Sequence, residues 1–363
     1  MSATRAIDLE DTEGLLAADR DGLLRAASSA GAQVRAIAAA ADEGALDALA
    51  GGDRPRSVIW VAGRGTAETA GSILAATLGG AASEPITLVG EAPPWVGPLD
   101  VLIVAGDDPG DPALVSAAAT GVRRGARVVV VAPYEGPLRD STAGRAAVLA
   151  PRLWVSDQFG LCRYLGAGLA ALRTVDPGAG VDLGALADEL DAEALRNSAG
   201  RELFRNPAKM IAARIAGRRV ALAGDCAATL ALARHGSSVL LRIAYEAVAA
   251  SGLADAVVAL RAVSAGSSVD ALFHDEEIDG PPPERLRVLV LTLADEQTVV
   301  AARVAGLEDV YLLAAEDVPD GPGGSAGSEV LPSLGGPVSP EQQLAVLALR
   351  VEMAAVYMRL VRG

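Results

Sequence analysis

The stretch SVIWVAGRGTAETA, residues 57–70, restricts the fold more than any other part of the chain. An apolar run, Val58 to Ala62, leads directly into Gly63-Arg64-Gly65-Thr66, and an alanine-rich helical pattern follows at once. An apolar run closed by glycine and continued as a helix predicts a buried parallel strand, a tight turn and a helix N-terminus. Such a turn directs free backbone N–H groups and the positive end of the helix dipole at one point. Gly63, Arg64, Gly65, Thr66 and Thr69 therefore make a candidate seat for an anion or a polar ligand. The dinucleotide fingerprint GxGxxG does not fit, because Glu68 stands where its third glycine belongs and Gly71 comes three residues late. The phosphate-loop pattern GxxxxGK[ST] is absent from the sequence. A strand-to-helix turn can also carry glycines for steric reasons alone.

The strand and helix pattern that begins here recurs. Strands are expected at 58–62, 86–89, 100–105 and 126–132 and helices at 67–78 and 112–124, with a shorter strand near 147–150 and a long helix over 157–173. Alternation of this kind predicts a doubly wound parallel sheet. The pattern then returns: RRVALAGDCAATLA at 218–231 echoes RSVIWVAGRGTAET at 56–69, and residues 285–315 echo 99–133. The second copy has a longer middle, with a strand expected at Ala256–Leu260 and a loop at 261–284. Residues 1–50 read as a helical lead-in, and TVDPGAGVDLG at 174–184 is a turn-rich break. Three regions follow: the lead-in 1–50, a first α/β domain 51–175 and a second 176–363, which ends in a helix from Pro340 to about Arg359.

Composition narrows the function. With 363 residues and 51% hydrophobic content the chain can bury a large core. Aromatic residues make up only 3%, so alanine, glycine and valine must do the packing, which suits parallel sheets covered by close helices. A formal charge of −15 opposes a nucleic-acid partner. Cys162 and Cys226 have neither disulfide nor metal spacing, and the histidines, His235 and His274, fall in no spaced ligand set. No metal or other cofactor is expected. The absence of a long apolar run and of a basic and apolar leader predicts a cytoplasmic protein without a membrane span. His235, in ARHGSS, reads as a surface or cap residue.

The glycine turn at Gly63–Thr66, the strand and helix pair from Asp100 to Ala132, and the NPAK motif at 206–209 followed by RRVALAG together resemble the sugar isomerase (SIS) fold. More narrowly, the order of features resembles the two-domain phosphoglucose/phosphomannose isomerases and their TobH-like branch. The resemblance implies two tandem SIS-type, flavodoxin-like parallel-sheet domains with flanking helices. It also implies a homodimer with sites at the subunit junction and a sugar or sugar phosphate as ligand. The implied reaction is aldose-ketose isomerisation of glucose 6-phosphate or mannose 6-phosphate with fructose 6-phosphate. By position Glu246, on a helix SSVLLRIAYEAV, matches the family's proton-transfer base, and His274, in LFHDEEI, its ring-opening residue.

Two departures leave a second outcome open. Where sugar-phosphate binders of this fold carry a Ser/Thr-rich turn, this chain has Gly106-Asp107-Asp108-Pro109-Gly110-Asp111, and acids repel a dianionic phosphate. Arg64, Thr66 and Thr69 would supply compensating donors, and acids in a helix's first turn are also ordinary caps. The lysine that the family carries after its last helix has no counterpart here. Under either outcome Gly106, Asp107 and Asp108 join Gly63, Arg64, Gly65, Thr66 and Thr69 as the expected substrate-binding residues, and the alternative is a catalytically degenerate SIS protein that binds a sugar or sugar phosphate as a regulatory or scaffolding subunit.

Overall fold

The computed structural model describes residues 7–50, 53–178, 181–270, 285–316 and 338–362. The chain forms two compact units. The first comprises Gly22–Leu195 and Pro337–Leu349; the second comprises Met1–Asp21, Arg196–Gly336 and Arg350–Gly363.

In the first unit, β1 (Ser57–Val61), β2 (Ile86–Val89), β3 (Asp100–Ala105), β4 (Arg127–Val131) and β5 (Ala147–Val148) form an all-parallel sheet of order β2-β1-β3-β4-β5. Every residue of β1 and β3 is buried, as an unbroken apolar run demands when helices cover both faces. Among the helices described, α1 (Thr12–Ala18) belongs to the second unit. The helices α2 (Leu23–Ala27), α3 (Ala30–Asp42), α4 (Asp47–Ala50), α5 (Gly65–Leu78), α6 (Pro112–Arg124), α7 (Gly136–Thr142) and α8 (Leu161–Val175) belong to the first. On one face Ile59, Leu102, Val104 and Val128 pack against Leu114, Ala118 and Val122 of α6.

Trp60 fills the other face. Its Nε1 donates to the Ala67 carbonyl at 3.0 Å. A Cβ at Gly71 of α5 would stand 2.5 Å from the indole, and one at Gly168 of α8 would stand 3.0 Å from it. Both glycines exist to let two helices close on one large ring, so Gly71 belongs to packing and not to a dinucleotide fingerprint. Register at the amino edge is fixed by Asp100, which is 0% exposed. Its carboxylate accepts from Ser57 Oγ at 2.8 Å, from Gly97 N at 2.9 Å, and from Arg56 Nη2 at 2.6 Å and Nε at 3.0 Å. Ser57 and Asp100 are the first paired residues of β1 and β3.

Helix α9 (Leu183–Arg196) leads on to the second unit, where α10 (Pro207–Ile215) is followed by β6 (Arg219–Gly224), α11 (Ala227–Ala244), β7 (Ala249–Gly252), α12 (Leu253–Asp270), β8 (Leu286–Leu291), α13 (Gln297–Val304) and β9 (Val310–Leu313). The sheet is again parallel, in the order β7-β6-β8-β9, so each strand takes the place of its counterpart in the first unit. The strand expected at Ala256–Leu260 is instead the start of α12, and the edge strand is the short AASG segment before it. Alanine, serine and glycine carry no β-branched signal, whereas ADAVVAL is apolar enough to serve either state. The last helix, α14 (Pro340–Arg362), is almost wholly buried.

One lysine occurs in the sequence, and the second unit encloses it. Lys209 is 0% exposed, its Nζ donates to the carbonyls of Ala199 and Arg201 at 2.8 Å each, and it lies 5.5 Å from the Tyr357 ring centroid. Burial pulls this amine below the ordinary lysine range, while Glu10 and Asp8 oppose the shift.

Candidate functional site

In the first sheet the chain leaves β1 toward β2 on one side and returns as β3 on the other. The carboxyl ends of β1 and β3 therefore flank a topological switch point, the place where loops part and open a crevice in doubly wound sheets. The glycine turn and the acidic turn both lie there. Gly65 begins α5 at φ +67°, a left-handed backbone that a side chain would strain. Nothing lies within 4 Å of a Cβ built there, so conformation rather than space selects glycine.

The side chains of the two turns are largely engaged with the protein. Thr66 is buried and its hydroxyl donates to the Asp157 carbonyl at 3.0 Å, while Thr69 donates back to Gly65 O at 3.2 Å. The Arg64 guanidinium stands between Asp111 at 3.3 Å and Asp108 at 3.6 Å. Asp111 also caps α6 by accepting from Ala113 N at 2.9 Å, and Asp108 accepts from Gly110 N at 2.8 Å. Gly106 N donates to Val131 O at 3.2 Å, which ties the acidic turn to β4. Three acids against one arginine leave this rim negative, and Arg64 bridges the two turns.

Sequence reasoning missed a third contributor, the start of α8. Asp157 and Gly160 meet Thr66 there, and a Cβ at Gly160 would stand 3.4 Å from its hydroxyl. The next turn carries Arg163 and Tyr164, with the guanidinium carbon 4.2 Å from the phenol ring centroid. Arg163 Nη1 and the Tyr164 hydroxyl are both buried without a hydrogen-bond partner. Burial pushes the Tyr164 hydroxyl up to about 12, with Asp107 and Asp157 adding to the shift and Arg163 opposing it. The available signal was an arginine and a tyrosine inside an otherwise apolar helix, LCRYLGAGLAAL.

The other sequence candidates belong to the second unit. Helix α11 ends at Ala244, because Tyr245 takes the left-handed conformation at φ +54° and Glu246 N closes onto Leu240 O at 3.1 Å. Glu246 thus stands just past the helix expected to carry it. Its carboxylate pairs with the Arg362 guanidinium, which also donates to Ala244 O at 2.8 Å. His274 lies in 271–284, outside the described residues. His235 is not a surface or cap residue: it is 4% exposed, and its Nε2 is 2.9 Å from Oε1 of Glu352, itself 1% exposed. Its helix face is covered, for a Cβ at the neighbouring Gly236 would stand 3.0 Å from Val351 of α14. Burial pushes the Glu352 carboxyl up, and the His235 hydrogen bond opposes that shift.

After β6, Asp225 pairs with Arg303, and Cys226 caps α11 in a reciprocal pair with Thr229. Among the described residues no group of three or more His, Cys, Asp or Glu side chains is placed to hold a metal ion. No described helix is long and apolar enough to cross a membrane.

Two parallel units with matching strand order, one sheet of five strands and one of four among the described residues, make a tandem α/β fold that solved phosphosugar isomerases share. Among solved structures, tagatose-6-phosphate ketose/aldose isomerase from Escherichia coli is 16% identical over 99% of this chain and 94% of its own, with a TM-score of 0.60. The C-terminal domain of glucosamine-fructose-6-phosphate aminotransferase from Francisella tularensis is 11% identical over 95% of this chain and 98% of its own, with a TM-score of 0.56. At such identity the likeness is one of fold. No protein-family model and no curated protein matches the sequence.

Proposed function

We propose that this chain is a sugar-phosphate isomerase-like protein, acting in the cytoplasm as a homodimer and interconverting glucose 6-phosphate or mannose 6-phosphate with fructose 6-phosphate. The observation that supports the reading is the meeting of the glycine turn, the acidic turn and the start of α8 at the switch point, where Arg64 spans Asp108 and Asp111, Thr66 contacts Asp157, and Arg163 and Tyr164 lie near Asp107. Donors and acceptors alternating over a short span suit a polyhydroxylated ligand. The fold's occurrence in a ketose/aldose isomerase over nearly the full length of both chains supports the reaction class.

The resemblance, independently of the first unit's turns, assigns to Glu246 of the second unit the transfer of the C2 proton of the open-chain aldose to C1, with the hydroxyl proton passing from O2 to O1, and to His274 help in ring opening. The pairing of Glu246 with Arg362 favours a second reading, in which the sugar phosphate binds and is not turned over. A carboxylate engaged by a guanidinium must give up that pairing before it can meet a substrate proton.

The test is turnover of each hexose 6-phosphate in a coupled assay, run beside ligand-induced melting shifts. Isomerisation should fall by about 10²-fold or more in Glu246→Gln while the melting shift persists. A melting shift without turnover in the unaltered protein would establish the binding-subunit reading. Neither turnover nor a shift with any hexose phosphate would sink both.

A further inference from the structure

A second concavity lies at the opposite edge of the first sheet. It is a cavity of about 460 Å³ beside Ile86, the first residue of β2, and its floor includes Leu78, Leu169 and Leu172. Three carboxylates stand on its wall, those of Glu84, Asp176 and Glu341.

Asp176 is well supplied with donors: Ser83 Oγ at 3.1 Å, Gly178 N at 3.1 Å and Arg54 Nη2 at 3.3 Å. Glu84 is not. It is 2% exposed, its Oε2 receives only a 3.3 Å contact from Arg54 Nε, and its Oε1 is buried with no hydrogen-bond partner. Arg54 is itself more than half exposed and shared with Asp176, so it compensates Glu84 weakly. Glu341, in the first turn of α14, is also buried. One arginine against three carboxylates leaves the wall negative, and a buried carboxylate oxygen without a donor is costly. The chemistry that answers it is a cation that brings its own N–H donors. A hard metal ion would need an oxygen cage, and no such group of side chains is found among the described residues. The leucine floor instead matches a carbon skeleton.

We propose that this cavity is a binding site for an organic ammonium ion with an apolar body, its amine meeting the Glu84 carboxylate and its hydrocarbon covering the leucine floor. The site is separate from the switch-point crevice and independent of the function proposed above. The test titrates n-hexylammonium into the full chain by calorimetry and by melting, with 1-hexanol as the neutral control and KCl at matched ionic strength. Hexylammonium should bind and raise the melting temperature, hexanol should bind at least about tenfold more weakly, and Glu84→Gln should lose at least about tenfold in affinity. Ala82→Phe, which fills the rim of the cavity, should abolish binding even if Glu84→Gln folds poorly. Absence of binding up to about 10 mM, equal binding of hexanol, an equal shift with KCl alone, or unchanged affinity in either folded variant would each overturn the proposal.

Discussion

Asp100→Ala should cost the first unit about 2–4 kcal/mol of folding stability, measured by chemical denaturation at neutral pH. The residue is fully buried and accepts from Arg56, Ser57 and Gly97, at the positions where β1 and β3 begin to pair. Truncation leaves the buried Ser57 hydroxyl and the part-buried Gly97 N–H without that acceptor, whereas half-exposed Arg56 can turn to water. That escape keeps the expected loss below the extreme for a broken buried ion pair. Acid should act at the same site. Burial, the largest single influence, raises the Asp100 carboxyl, but the hydrogen bonds from Arg56, Ser57 and Gly97 together hold it below the ordinary aspartate range. Its folded pKa is therefore lower than its unfolded one. The stabilisation is complete above the unfolded value, and it drains away as pH falls, because the unfolded chain takes up the proton first. The stability gap between the unaltered protein and Asp100→Asn should narrow below about pH 4. A gap that stayed constant from pH 7 to pH 3 would show that the carboxylate's charge contributes nothing.

Gly224→Ala should be still more damaging, at about 3 kcal/mol or more, with collapse of the second unit's cooperative transition as the readout. Gly224 ends β6 where the chain turns into α11, and a Cβ there would stand 2.7 Å from Leu230 Cα and closer still to Leu230 N and Thr229 C. Those are backbone atoms of the first turn of a helix, so no rotamer change can relieve the clash. The corresponding residue of the first repeat, Ala62, already carries a methyl group and is buried without difficulty. The second turn is thus the tighter of the two. Unchanged stability in Gly224→Ala would mean that α11 can slide along its strand, contrary to the packing seen here.

The repeat was legible where its strands are unbroken apolar runs that lead into glycine turns and helices, but in the second copy periodicity put a strand at 256–260 and a loop from 261, where α12 runs to Asp270, and missed the AASG strand before it. Residues 56–69 and 218–231 became β1 to α5 and β6 to α11 in the same register. What the sequence hid were pairings made by distant residues. His235 reads as polar and exposed until α14, more than a hundred residues later, covers it and offers Glu352. Helix α11 stops before Glu246 through a left-handed tyrosine, a conformation that no local propensity announces. In the crevice, the acidic turn was visible and so was its capping chemistry. Arg163 and Tyr164 were not, since nothing in the apolar run of α8 announces that its first turns lie near Thr66 and Asp107.

The enclosure of Lys209 bears on how this protein can be handled and marked. Because its Nζ is held by two carbonyls inside the second unit, the folded chain presents no side-chain amine to solvent. Amine-directed acylating reagents and cross-linkers, and any enzyme that attaches groups to lysine, should find no lysine side chain to act on in the folded protein. The same residue becomes a clock for opening. Under a constant excess of an amine-specific reagent, mass spectrometry of the peptide around 209 should show modification only as fast as the second unit unfolds, with a rate that rises with denaturant in step with loss of structure. Rapid labelling of that peptide in native buffer would mean that the enclosure opens without unfolding.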